Sequence, residues 1–281
     1  MSDRVPYPPN KEARFGTVPG QFDIYHTLIW GTGEELKFGL SVTLMAALIG
    51  TLIGAISGYW GGVMNRIVMR ITDGFLTFPV IAAVVFFSAI FSILYTKVGI
   101  NVLNLQSDQL QQVGMIKVSD LGFTGLTGFL LNIILSVRPF YIAIILFSWM
   151  PYTRMINDQV LRIKQAEYVL AAQSVGIRKI RMVFKHILPN AIAPNIVLAT
   201  RDVGGMVILR ATFTYIGLAD GSYWTTILLL GNKYVIGPGG SPGTYWWVYL
   251  PVTIAIVLFG LGWNMFGDEL NFWLNPRERS G

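Results

Sequence analysis

Long apolar runs dominate this chain and limit what it can fold into. A helix needs about 20 consecutive apolar residues to cross the hydrocarbon core of a bilayer. The sequence of 281 residues is 53% hydrophobic and only 13% charged, which is too apolar for an ordinary soluble domain. It therefore predicts an all-α integral membrane protein, a multi-pass bundle of about five transmembrane helices near residues 40–59, 80–98, 128–150, 191–218 and 245–266.

The residue types present exclude several kinds of chemical site. No cysteine occurs, which excludes disulfides and thiolate metal ligands. The two histidines, His26 and His186, lie outside the apolar runs and leave little for acid–base chemistry. The phosphate-binding pattern G-x4-G-K-[ST] is also missing from the sequence. We therefore expect no catalytic site, no metal site and no bound cofactor, and we do not expect ATP to bind this chain.

The distribution of Lys and Arg predicts the orientation in the membrane. The net charge of +6 suits a nucleic-acid partner, but concentration of the basic residues in a few loops is typical of a membrane protein. With residues 151–189 in the cytoplasm, that side carries eleven Lys and Arg residues and the opposite side five. We therefore expect no nucleic-acid partner, an extracytoplasmic tail at residues 1–36, and a transmembrane domain at 37–281 in the cell membrane.

A polar, basic segment at residues 165–189 interrupts the apolar sequence. Apolar residues at helical spacing predict two short amphipathic helices joined at Gly176. The first helix offers a small face that includes Ala171 and Ala172, and basic residues keep the second soluble at a membrane surface. On periodicity alone, an amphipathic loop lying on the cytoplasmic membrane face is the favoured interpretation. A docking element for another protein is the alternative.

The residue order within this segment resembles the cytoplasmic EAA loop of binding-protein-dependent ABC transporter permeases. The pattern AA-x3-G followed by L-P is formed by Ala171, Ala172, Gly176, Leu188 and Pro189. Leu170 stands where the family usually has Glu, and Glu167 lies one helical turn earlier. Further segments resemble the dipeptide and oligopeptide type of these permeases, namely FGT, DIYHTLIWG, GYWGG, NRIVMRITDGFLTFP, WMPYTR, TFTYIGLA and GDELNFWLNPR.

The resemblance implies a function and a set of partners. It implies a type I ABC importer-like permease that forms the translocation pathway for peptides or similar small solutes. The implied partners are a second permease subunit, two ATP-binding subunits, an extracytoplasmic solute-binding protein and membrane lipid. In the family, ATP is hydrolysed on the separate ATPase, and the EAA loop inserts a coupling helix into a cleft on that subunit. We expect residues 151–189 to be this coupling loop.

Charged residues inside the predicted spans are candidates for the pathway or for pairing within the membrane, namely Arg138, Arg201, Asp202 and Arg210. A snorkelling anchor is an equally good interpretation of Arg138, which lies near a helix end. The family commonly has Glu at position 210. Intramembrane charges also suit an ion-coupled secondary transporter, which is the alternative function. Such transporters contain inverted repeats, and we find no repeat of the span pattern.

Two further expectations concern the ends of the spans. The family pattern has six spans with an additional helix before the first one found here. We expect upstream in-frame sequence to encode it, although a separate helix or unaided translocation of the tail would also satisfy the pattern. The Gly-rich segment at residues 220–244 is expected to be mainly a loop, since its apolar run at 227–230 is too short to span.

Overall fold

Helices form nearly all the regular structure of the computed structural model, which describes residues 5–18, 20, 22–97, 139–216 and 221–274. The remaining regular feature in these ranges is an isolated antiparallel bridge between Thr17 and Asp23. The helices are α1 (Ile24–Trp60), α2 (Gly62–Leu76), α3 (Val80–Lys97), α4 (Pro139–Ser148), α5 (Met150–Ile163), α6 (Glu167–Ser174), α7 (Lys179–Met182), a π-helical turn (Val183–Ile187), α8 (Leu188–Ala191), α9 (Ala193–Tyr215), α10 (Tyr223–Val235) and α11 (Trp246–Leu274).

Helix α1 begins well before the predicted first span. The Asp23 side chain caps it by accepting a 2.8 Å hydrogen bond from the Tyr25 N–H, and the helix ends at Gly61, where φ is +65°. Its 37 residues extend for about 55 Å. Residues 24–36, which we predicted as part of an extracytoplasmic tail, are therefore helical and continuous with the span at 40–59.

Two helices in the described ranges are long and apolar enough to cross a membrane alone, namely α1 and α11. Two bent pairs also qualify if each pair is one span: α2 with α3, at 94°, and residues 179–191 with α9, at 59°. The described part of the chain therefore supports two to four spans. Of the predicted span at 128–150, only the part from Pro139 onward lies within the described residues.

The prediction of a loop at residues 220–244 is wrong for its first half, because α10 occupies Tyr223–Val235. A capping box starts this helix: the Ser222 hydroxyl accepts from the Thr225 N–H, and the Ser222 N–H donates to the Thr225 hydroxyl at 2.8 Å. The 13 residues of α10 extend for about 20 Å, which is too short to cross a bilayer.

Glycines on α1 allow α5 to pack directly against its backbone. A Cβ atom added to Gly50 would lie 2.3 Å from the Trp149 carbonyl oxygen, and one added to Gly54 would lie 2.2 Å from a Ile156 methyl carbon. The sequence spacing of Gly50, Gly54 and Gly58 permits such a close helix approach, although glycine is also more frequent in membrane helices in general. The neighbouring helix is α5, which forms the first part of the predicted coupling loop at residues 151–189.

Candidate functional site

The segment at residues 165–189 contains two helical pieces joined by a turn, as its periodicity predicts. Helix α6 ends at Ser174, and Gly176 adopts a left-handed conformation with φ of +81°. The second piece starts at Lys179 and continues through the π-helical turn into α8. The left-handed turn reverses the chain, so that the second piece packs back toward the bundle.

A proline accounts for the π-helical turn in the second piece. Pro189 has no N–H and cannot make the usual hydrogen bond to the carbonyl of Lys185. The Leu188 N–H bonds instead to the carbonyl of Val183, five residues earlier. Pro189 itself is exposed, whereas Leu188 packs partly buried against the base of the loop.

The inner face of the loop is a small apolar core shared with α1 and α5. Val169 of α6 is completely buried, and Ala172, one turn later, packs partly buried against the same cluster. The other members come from the second piece and from the C-terminal parts of α1 and α5, namely Ala55, Tyr59, Ile156, Val160, Met182, Val183, Ile187 and Ala191. This core fixes the loop to α1 and α5.

The outer face of the loop exposes apolar side chains that the fold does not cover. Val175 is 84% exposed and Ile180 is 60% exposed, although both are large and aliphatic. Together these side chains form what we call the outer coupling surface: Tyr168, Leu170, Ala171, Val175, Ile180 and Phe184. The two alanines that were predicted to share one face therefore lie on different faces, because Ala171 faces outward and Ala172 faces the inner core.

Charged residues surround the outer coupling surface. Glu167 is exposed in the first turn of α6, where a carboxylate interacts favourably with the helix dipole. Exposed basic side chains line the second piece, namely Arg178, Lys179, Arg181 and Lys185. An apolar centre with a charged rim is the usual composition of a protein–protein interface.

Asn157 connects the start of the loop to the rest of the bundle, and sequence reasoning did not identify it. Its buried amide donates to Ser57 Oγ at 3.0 Å and to Asn65 Oδ1 at 2.7 Å. Lys164, at the end of α5, donates to the Tyr59 carbonyl at 2.6 Å. These contacts join α5 to α1 and α2.

Arg210 lies buried near the other end of the bundle and pairs with Glu35. Their side chains are 5% and 0% exposed, and Arg210 Nη1 lies 3.6 Å from Glu35 Oε2. The guanidinium also lies over the Phe38 ring, 4.7 Å from its centre. Sequence reasoning missed Glu35 because it fell in the predicted tail, outside the apolar run.

The other intramembrane charges have different partners. Arg201 pairs with Asp268 of α11, and both side chains are largely exposed in the isolated chain. Asp202 accepts a 2.6 Å hydrogen bond from the hydroxyl of Tyr152, which is fully buried. Arg201 and Asp202 are adjacent in sequence but bind different helices. Arg138 lies outside the described residues. Among the described residues, no group of three or more His, Asp or Glu side chains is arranged to hold a metal ion.

Comparison with known proteins identifies the family of this arrangement. Residues 50–280 match the family model described as binding-protein-dependent transport system inner membrane component. The chain belongs to this family. The match covers the buried glycine face of α1, the predicted coupling loop and α11. The resemblance deduced from the EAA-like loop is therefore confirmed.

Curated relatives of the chain are transport permeases from several bacteria. The probable D,D-dipeptide transport system permease protein DdpC of Escherichia coli K12 is 27% identical over 273 residues, which cover 96% of this chain and 75% of the relative. The oligopeptide transport system permease protein OppC of Bacillus subtilis 168 is 29% identical, with 97% and 74% covered. The nickel transport system permease protein NikC of E. coli K12 is 28% identical, with 95% and 80% covered.

Membership of the family establishes the general role of the chain. It is the permease component of an ABC importer in the inner (plasma) membrane, and it works together with an ATPase and a solute-binding protein. Permease components are not catalytic, so ATP is bound and hydrolysed on the ATPase subunit. The predicted membrane-embedded permease is confirmed at this level, and the secondary-transporter alternative is wrong.

Proposed function

We propose that this chain is one of two permease subunits in a peptide importer, and that residues 151–189 couple it to an ATP-binding subunit. The outer coupling surface would insert into a cleft of that subunit. Two ATP-binding subunits and one extracytoplasmic binding protein would complete the importer. A second permease subunit would supply the other wall of the pathway.

The observation that carries this proposal is the uncovered apolar surface of the loop. Val175 and Ile180 lie on a segment rich in basic residues, and the inner core below them is already filled. Exposed apolar side chains that are rimmed by charge mark a binding surface rather than an ordinary solvent-facing loop. An importer partner is favoured over simple membrane contact because the family is binding-protein-dependent and acts with a separate ATPase.

Leu170 favours an apolar contact with the ATP-binding subunit. It occupies the position of the family Glu and is 50% exposed on the outer coupling surface. A partner cleft would therefore meet a leucine where most relatives present a carboxylate. Glu167, also exposed and one turn earlier, remains available for a polar contact at the rim.

Peptides are the proposed substrate class because of the relatives. DdpC is named for D,D-dipeptide transport and OppC for oligopeptide transport, and both align along nearly all of this chain. NikC, named for nickel transport, aligns about as well and makes nickel the second candidate. In the family, specificity lies mainly in the binding protein, so the permease itself needs few substrate contacts.

The docking proposal is tested by placing a charge on the outer coupling surface. Ala171→Glu should weaken binding of the ATP-binding subunit, because a carboxylate would be buried against an apolar cleft. Gln173→Glu is the matched control: it adds the same charge at an exposed polar position of the same helix that is not a member of the outer coupling surface. Co-purification and ATP-driven uptake should fall for Ala171→Glu alone. Equal behaviour of the two variants would reject the proposed docking face.

The substrate proposal is tested with the assembled importer in proteoliposomes. Uptake of a labelled dipeptide, a labelled oligopeptide and nickel ion is measured with ATP inside and the cognate binding protein outside. We expect ATP-dependent uptake of a peptide. Uptake of nickel alone would reject the peptide assignment and leave the role as importer permease intact.

A further inference from the structure

The buried pair of Glu35 and Arg210 is part of a larger junction between three helices. Glu35 lies on α1, Arg210 on α9, and the Ser222 hydroxyl just before α10 donates to Glu35 Oε1. Ser222 also caps α10 through the Thr225 N–H. One carboxylate therefore contacts both the guanidinium from α9 and the residue that starts α10.

Neighbouring residues attach the first turn of α10 to α1 at two more points. The Tyr223 N–H donates to Glu34 Oε2 at 3.3 Å, and the Trp224 indole N–H donates to the Leu28 carbonyl at 2.8 Å. Gly31 makes room for this indole, because a Cβ atom at Gly31 would lie 2.3 Å from Trp224 Cδ1. Three consecutive residues, 222–224, thus connect α10 to the part of α1 that precedes the apolar span.

Removing one charge from the buried pair would leave the other uncompensated. Glu35 Oε2 and Arg210 Nε lack hydrogen-bond partners among the described residues, and Phe38 covers the guanidinium. Buried ion pairs of this kind often contribute little net stability, because desolvation offsets their attraction. Their contribution is to fix the relative positions of the groups that they join. Here those groups belong to α1, α9 and α10.

Helix α9 places this junction in line with the coupling loop. The helix begins at Ala193, immediately after the loop, and reaches Arg210 about 25 Å farther along its axis. In the orientation predicted by the charge bias, the loop is cytoplasmic and α10 lies at the outer end of the bundle. A displacement of α9 at its cytoplasmic end therefore reaches the first turn of α10 through Arg210 and Glu35.

We propose that Glu35 and Arg210 are positioning residues for transport, which hold α10 against α1 and α9 so that the outer helix moves with the bundle. This rests on the proposed function, because it assumes that the loop at the start of α9 receives the ATP-binding subunit. We expect the pair itself to be the required feature, not the sign of the charge on either helix.

The experiment uses the complete importer in proteoliposomes and a spin label on α10. The chain has no cysteine, so Ile236→Cys gives a single labelling site at the end of α10, where the side chain is 67% exposed. The label reports how firmly α10 is held, and substrate uptake is measured in the same preparation. A wild-type complex without ATP-driven uptake would point to failure of the proposed function before any variant is compared.

Two double variants distinguish loss of the ion pair from reversal of its charges. Glu35→Leu with Arg210→Met removes both charges and replaces them with apolar groups, which a buried site usually tolerates. We expect a mobile label, uptake reduced about tenfold or more, and unchanged basal ATP hydrolysis on the separate subunits. Glu35→Arg with Arg210→Glu restores an ion pair with reversed charges, and we expect an immobile label and recovered uptake. Glu269→Gln, which removes an exposed charge of α11 beyond the predicted span at 245–266, is the control and should change neither readout.

Uptake should follow the immobility of the label across all these variants. If the apolar double variant fails to assemble, the charge-reversed variant alone tests the proposal. Its uptake should again follow the immobility of the label. A variant with a mobile label and normal uptake would overturn the proposal, because transport would not need α10 to be held. A variant with an immobile label and lost uptake would also overturn it.

Discussion

Gly54 on α1 lies so close to Thr153 on α5 that a Cβ atom at Gly54 would be 2.4 Å from the Thr153 carbonyl oxygen. Thr153 in turn donates its hydroxyl to the Gly50 carbonyl at 3.0 Å. The two backbones are therefore in direct contact over this part of the bundle. Because α5 continues into the coupling loop, this contact joins the loop to the first described span.

Adding a methyl group at Gly54 tests the close approach. Gly54→Ala should destabilise the protein by about 1–3 kcal/mol, because the neighbouring atoms belong partly to the α5 backbone and cannot move aside easily. Gly33→Ala is the matched control on the same helix, since a Cβ atom there meets nothing within 4 Å. Thermal unfolding in detergent measures both. Equal melting temperatures for the two variants would mean that α1 and α5 do not pack in this way.

The turn at Gly176 depends on backbone conformation and not on space. A Cβ atom there would meet nothing within 4 Å, but φ is +81°, which a β-branched residue adopts only at a penalty of about 1–2 kcal/mol. Gly176→Val should therefore distort the loop and lower ATP-driven uptake while leaving membrane insertion intact. Gly74→Ala, in an equally open position within α2, is the control and should not reduce uptake. Normal uptake by Gly176→Val would show that the loop does not need this turn.

The hydrogen bond between Tyr152 and Asp202 joins α5 to α9 near the loop. Tyr152→Phe removes the hydroxyl that donates the 2.6 Å hydrogen bond to the Asp202 carboxylate. A hydrogen bond of this kind contributes about 1.5–3 kcal/mol to the free energy of unfolding. Tyr215→Phe, which removes an exposed hydroxyl bonded to Asn232, should have a much smaller effect. The free energy of unfolding is measured for Tyr152→Phe, Asp202→Asn and the double variant. Strictly additive effects would show that the two side chains do not interact.

The apolar pattern predicted the helical class and the positions of the two helices that can cross a membrane alone, but it could not locate the start of α1. Polar residues from Gly33 to Lys37 interrupt the apolar run there, and Glu35 in particular argues against a helix within the membrane. In the structure this carboxylate is compensated by Arg210, which is distant in sequence. No local pattern reports a partner of that kind, so the helix start and the ion pair were missed together.

The loop shows the same division between local and tertiary information. Its two helices and the turn at Gly176 follow from helical spacing and glycine chemistry, which are local. Which alanine faces outward depends on the inner core at Val160 and Ile187, and therefore on packing between helices. Helix α10 was missed because its cap pairs Ser222 with Thr225, whereas the recognisable sequence signature has Glu or Gln at the latter position.

The central claim is that the outer coupling surface contacts an ATP-binding subunit, and cross-linking from Val175 tests it most directly. Val175→Cys places the only thiol of the chain at a side chain that is 84% exposed. Ile236→Cys, exposed at the end of α10, is the control thiol, and the charge bias predicts that it lies on the opposite side of the membrane. With a short bifunctional reagent, we predict a cross-link to the ATP-binding subunit from Val175→Cys alone, in an importer that still transports. Efficient transport without any such cross-link, with the Val175→Cys thiol reacting only with lipid-soluble reagents, would contradict the account.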